Sequence, residues 1–125
     1  MAKIKMTIIK HDEIASPNFR KNSDWCNDHG ISNICCICGK AIKDEDGKML
    51  HWFDGGDLLT DFDTFPDELR KRDERFSEAG DMNCYPVGSA CYRKWLKMKA
   101  TGQYEVDVII SKSPSHRECP VKPND

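Results

Sequence analysis

Cys35-Cys36-Ile37-Cys38-Gly39-Lys40 is the stretch on which the fold of this chain turns. Two thiols separated by two residues can grip one tetrahedral ion from a tight turn. Backbone N–H groups in the turn then aim at the sulfurs, and Gly39 supplies the left-handed conformation often needed there. A redox pair of the same spacing belongs at a helix start inside a β-α-β unit. Here the pair leads instead to Ile42, the turn signal Asp44-Glu45-Asp46-Gly47 and Lys48-Met49-Leu50-His51-Trp52-Phe53, which reads as the return strand of a hairpin closed by Asp54-Gly55-Gly56-Asp57. That context favours a metal, and zinc is the ion expected.

A closed structural zinc site needs four ligands. Cys91 is the distal candidate, because it falls in the first turn of a helix expected to start at Ser89, where free N–H groups and the helix dipole favour a thiolate. Its competing reading is a small buried residue beside Trp95. The fourth ligand stays open between Cys84, just upstream of that helix, and His51 on the hairpin strand, with Cys84 ranked slightly ahead. Cys36 adjoins the pair but points away from a site that uses Cys35. A second metal is weighed from Cys26-x-x-His29 and His116-x-x-Cys119, whose four side chains together would form a Cys2His2 set tying the first helix to the C-terminal tail.

Outward from the knuckle, Ile4, Met6 and Ile8 alternate with Lys3, Lys5 and Thr7, which predicts a strand over 3–10. Ser16-Pro17 predicts a helix start, running to about Asn27 and stopping before Gly30. Residues 54–63 read as an acidic loop. A charged helix is expected from about Pro66, with Leu69, Phe76 and Ala79 as its apolar stripe and Gly80 at its end. The Ser89 helix is expected to end at Gly102, and a strand to follow over 103–110. Residues 111–125, with Pro114, Pro120 and Pro123, are expected to be irregular. The whole is one α+β domain in which a zinc-binding segment (knuckle, hairpin, helix; residues 33–98) is inserted between terminal strands that could pair.

Composition sets outer bounds. The chain has 125 residues, 38% hydrophobic and 32% charged, so its core is modest and a metal cross-link would help it fold. Seven cysteines, an odd number, argue against a disulfide framework and for ligation. No apolar run reaches about eighteen residues, and the N-terminal apolar stretch is too short and interrupted for a signal peptide, so cytoplasmic localisation and no membrane partner are expected. A net charge of -2 exerts no general pull toward nucleic acid.

The order Cys35-x-x-Cys38-Gly39-Lys40-x-Ile42, hairpin, Pro86-Val87-Gly88-Ser89-Ala90-Cys91-Tyr92 resembles the small treble-clef or zinc-ribbon-like modules of phage and mobile-element proteins. Those begin with a Cys-x-x-Cys-Gly knuckle and end on a Gly-x-x-Cys helix start. The resemblance spans 33–98 and implies zinc through Cys35, Cys38 and Cys91. It departs from the pattern in carrying an extra charged helix and in lacking a Cys-x-x-Cys pair at the final helix. The termini match no pattern of this kind.

For function, no Gly-x-Ser-x-Gly, P-loop or EF-hand spacing occurs, although Asp54, Asp57, Asp61, Asp63, Asp67 and Glu68 are dense. A deaminase needs a Pro-Cys-x-x-Cys and a His-x-Glu, and Cys35 and His51 have neither neighbour. A metal-dependent nuclease could use His51 but finds no second histidine on the following helix. The expected function is therefore a non-enzymatic, zinc-stabilised protein-interaction module. Trp52, Phe53, Asp57, Phe62, Asp63 and Phe65 would form its aromatic and acidic partner surface, suited to a basic protein. By analogy with the phage modules, the partner would be a host defence or nucleic-acid-processing complex such as a CRISPR effector. The alternative is a DNA- or RNA-binding zinc finger using Arg93, Lys94, Lys97 and Lys99, or Arg70, Lys71, Arg72 and Arg75.

Overall fold

The structure is a computed structural model that describes residues 2–43, 48–62, 65 and 67–110. In chain order the elements are β1 (Ala2–Thr7), β2 (Ile9–Lys10), α1 (His11–Ile14), α2 (Phe19–Asp28), β3 (Lys48–Phe53), β4 (Leu58–Thr60), α3 (Asp67–Arg72), β5 (Cys84–Val87), α4 (Ser89–Ala100) and β6 (Glu105–Ile110). This is an α+β fold with two small antiparallel sheets. The alternation at the N-terminus makes β1, which pairs with β6 from Ala2 opposite Ile110 to Thr7 opposite Glu105. The terminal strands thus zip together as a two-stranded sheet. The chain breaks its strand at Ile8, whose N–H donates to the Tyr104 carbonyl, and β2 begins a second sheet of order β2-β4-β3-β5.

Sheet register explains how one strand serves two cores. Along β3, Leu50 and Trp52 face one side while His51 and Phe53 face the other, the period of two that a strand imposes. Phe53 joins Met6, Ile8, Leu58, Phe62, Phe65, Leu69 and Phe76 in a phenylalanine-rich cluster. Leu50 joins Ile9, Ile14, Cys35, Cys36, Ile37, Leu59, Val87 and Trp95 in a second cluster, the one that carries the knuckle.

Several expectations change. The hairpin of β3 is not with the knuckle but with β4, turning at residues 54–57, and β5 lies on the other edge of β3. The knuckle keeps only a single bridge, Ile34 opposite Ala41. Residues 54–63 were expected to loop, yet Leu58-Leu59-Thr60 is a fully buried strand, because three adjacent residues face core on both sides. Asp44 to Gly47 and the tail 111–125 lie outside the described residues. The second helix begins at Phe19 rather than at Ser16-Pro17; the Ser16 hydroxyl instead accepts from the Asn18 N–H at 3.2 Å. The charged helix ends at Arg72, because Asp73 is extended (φ −133°, ψ 117°) and its carboxylate accepts the Arg75 N–H, opening a separate 3-10 turn at Glu74–Phe76. In α4, Gly88 rather than Ser89 occupies the capping position.

Candidate metal centre

The knuckle is a turn closed on itself and then fastened from outside. Cys35 N–H donates to Lys40 O and Gly39 N–H to Cys35 O, each at 2.9 Å. Every carbonyl from Cys36 to Gly39 meets a donor from the N-terminal region. His11 Nε2–H donates to Cys36 O at 2.7 Å, Ser16 N–H to Ile37 O at 2.9 Å, Asn22 Nδ2 to Cys38 O at 2.9 Å, and the Cys26 thiol to Gly39 O at 3.6 Å. Gly39 sits at φ +77°, and a Cβ there would lie 2.3 Å from the Phe19 carbonyl. Only glycine fits this position. On the far side, Cys36 N–H donates to Pro86 O, which places the knuckle beside the end of β5 and the start of α4.

That docking brings the two knuckle thiols together with Cys91 of α4. The Sγ atoms of Cys35, Cys38 and Cys91 all lie within 4.8 Å of one another. Cys35 is buried, and Cys38 and Cys91 are half-buried. Three N–H groups point at Cys35 Sγ: Gly88 at 3.3 Å, Ile37 at 3.4 Å and Cys38 at 3.5 Å. Burial pushes the Cys35 thiol up, but these donors together with the Cys38 side chain outweigh it and hold Cys35 below the usual thiol range. Burial pushes Cys38 up, and the charge of Cys35 adds to it. Burial and the charges of Cys35 and Cys38 push Cys91 up to about 12. Cys35 therefore ionises ahead of Cys38 and Cys91, and a cation bound among them would offset the mutual repulsion of the three sulfurs. Thiolate donors suit zinc and other soft ions.

The remaining candidates are placed elsewhere. Cys84, ranked first for the fourth position, is disulfide-bonded, so it cannot serve as a ligand, and the expectation of a disulfide-free chain fails there. His51 is buried on the opposite face of β3, with Nδ1–H donating to Phe62 O and Nε2–H to Asp81 Oδ1, both at 2.6 Å. Both ring nitrogens are thus engaged, one by a backbone carbonyl and one by a carboxylate. Asp81 also receives Arg70 at 3.1 Å and the Asn83 N–H at 2.8 Å. His51 is thus a structural ion pair rather than a ligand. Cys36 is buried and is not part of the three-thiol group; burial, and then the charge of Cys35, push its thiol well up. Of the second-metal set, Cys26 is buried with its thiol donating to Gly39 O, and His29 is exposed, stacked on Trp25 with Nδ1–H on the Trp25 carbonyl; His116 and Cys119 lie outside the described residues.

The expected aromatic surface is interior. Phe53, Phe62 and Phe65 are 0%, 7% and 2% exposed, because β4 turns their segment into the phenylalanine-rich core. Trp52 is half-buried, stacked on His11 and bonded through Nε1–H to Gly56 O. Asp57 is exposed, and Asp63 lies outside the described residues. Among the described residues, the large apolar side chains that do face solvent are Trp25, 54% exposed, and Leu96, 44% exposed. Sequence reasoning overlooked Trp25, which lies on the exposed side of α2. It also overlooked His11 and Asn22, whose partners are 25 and 16 residues away and leave no local signal. No described helix is long and apolar enough to cross a membrane.

No protein-family model, no curated protein and no solved structure matches this chain.

Proposed function

We propose that this protein is a zinc-clamped protein-interaction module, in which Cys35, Cys38 and Cys91 bind the ion and the ion ties the knuckle to α4. The convergence of three thiols within 4.8 Å carries this reading. Zinc bound here acts on the fold: structural sites contribute roughly 10–16 kcal/mol of apparent binding energy, and that energy is coupled to folding.

An interaction role is favoured over a nucleic-acid finger by what the cations do. Arg70 pairs with Asp81, Arg72 with Glu68, Arg75 with Asp73 and Lys99 with Asp61, and Lys94 Nζ donates to Ile14 O. Carboxylates therefore neutralise Arg70, Arg72 and Arg75 in and after α3, and Lys99 on α4. Trp25 is the kind of rigid aromatic anchor that protein interfaces use. It flanks a shallow groove of about 120 Å³ lined by Asn22, Cys26, Lys40 and Ala41, beside the knuckle. An inhibitory role against a host nucleic-acid-processing complex, such as a CRISPR effector, extends this reading through the resemblance to phage modules.

The test joins metal content to binding. The purified chain is expected to carry one zinc, and Cys35→Ser to lose it and melt at lower temperature. A partner retained by the wild type is expected to be lost by Trp25→Ala at unchanged zinc content. Wild-type melting and zinc content in Cys35→Ser would overturn the clamp. Tight, steeply salt-dependent binding to DNA or RNA would favour the nucleic-acid finger instead.

A further inference from the structure

Among the described residues the three thiols leave one corner of a tetrahedron unassigned, and the start of α4 supplies no second thiol there. Gly88 stands three residues before Cys91, the position from which a second thiol of a Cys-x-x-Cys helix start would reach the same ion. It offers only its N–H, donated to Cys35 Sγ at 3.3 Å. A Cβ built on Gly88 would lie 3.9 Å from that sulfur, in ordinary contact. The Gly88 backbone is extended (φ −65°, ψ 153°), so glycine is not required there for conformation. Among the described residues no other cysteine, histidine or carboxylate joins the cluster. Gly88, Cys38 and Cys91 are each half-buried, so this corner faces outward rather than into the core.

We infer that the centre formed by Cys35, Cys38 and Cys91 keeps an open fourth position beside Gly88, which accepts an exchangeable thiolate or imidazole donor from outside the chain. The inference rests on the metal reading above and gives the interaction module a chemical handle: a cysteine or histidine side chain of a partner could complete the coordination. Three thiolates outweigh the charge of a dication, so they blunt its power to acidify bound water, and ligand exchange suits the site better than hydrolysis. With the ion bound, such an incoming donor would replace a water. An imidazole enters neutral, and a thiol enters after releasing its proton to solvent.

Cobalt(II) loaded into the full chain in place of zinc reports the fourth ligand through its visible absorption. Titration with imidazole, and separately with N-acetylcysteine, is expected to shift the wild-type spectrum saturably, and the two end points identify which donor class is held. Gly88→Cys, which supplies a fourth thiolate from the chain, is expected to lose the response, while Gly88→Ala keeps it. A wild-type spectrum that ignores both donors overturns the open position while leaving the metal clamp standing. A Gly88→Cys protein that still responds as the wild type does overturns its placement beside Gly88. Failure of the wild type to take up cobalt at all overturns the metal reading itself.

Discussion

Gly39 and Asp81 show how single residues hold this fold, one by shape and one by charge. At Gly39 a methyl group would meet the Phe19 carbonyl at 2.3 Å in a backbone conformation hostile to side chains. Gly39→Ala is therefore expected to cost about 2–4 kcal/mol, read by denaturant unfolding of the zinc-loaded protein. Asp81 is held below the usual carboxylate range: burial opposes this, but His51, the Asn83 N–H and Arg70 outweigh it. A carboxyl whose folded pKa is depressed stabilises above its unfolded value, near 4, and that stabilisation is lost as pH falls through the folded one. Asp81→Asn is expected to cost about 3 kcal/mol at neutral pH, because it leaves His51 buried beside a neutral amide. The gap between variant and wild-type unfolding midpoints should narrow below about pH 4. The glycine was legible from its place after Cys38. The ion pair was not, because Asp81 lies 30 residues from His51 and only the fold of β3 against the following turns makes them neighbours.

Among the elements, the knuckle and α4 were readable and the segment between them was misjudged. Cys-x-x-Cys-Gly spacing and an apolar face at helical period are strong local signals. Leu58-Leu59-Thr60 was hidden by the acids around it, since a strand buried on both faces shows no alternation. The phenylalanines were assigned to a surface for the same reason. Asp73 cut the charged helix short by bonding its own neighbour, a competition that composition alone does not reveal. Cys38 of the knuckle and Cys91 of α4 both resist ionisation, Cys91 being pushed up to about 12. Zinc uptake is thus expected to expel about two to three protons, countable by calorimetry in buffers of different ionisation enthalpy, and apparent affinity should fall as pH falls because protons compete for the same sulfurs.

For the molecule as a whole, two cores on opposite faces of one sheet divide the labour. The thiol cluster belongs to the core that includes Trp95 and Leu50, while the phenylalanine-rich core stands without it. Chelation is expected to unprotect amides of residues 35–42 and the first turn of α4 in hydrogen exchange, while β1, β6 and the β3–β4 hairpin stay protected; uniform exchange would show a single cooperative unit instead. The α+β class and the meeting of the terminal strands were legible from alternation at each end. The split into two cores was not, because it depends on which strands flank β3.

The pairing of β1 with β6 also orders events in time. β1 leaves the ribosome roughly a hundred residues ahead of its mate, and an unpaired apolar edge in that interval invites association with other chains. Lysines 3 and 5, interleaved along that strand, give the nascent segment a repulsive charge while it waits.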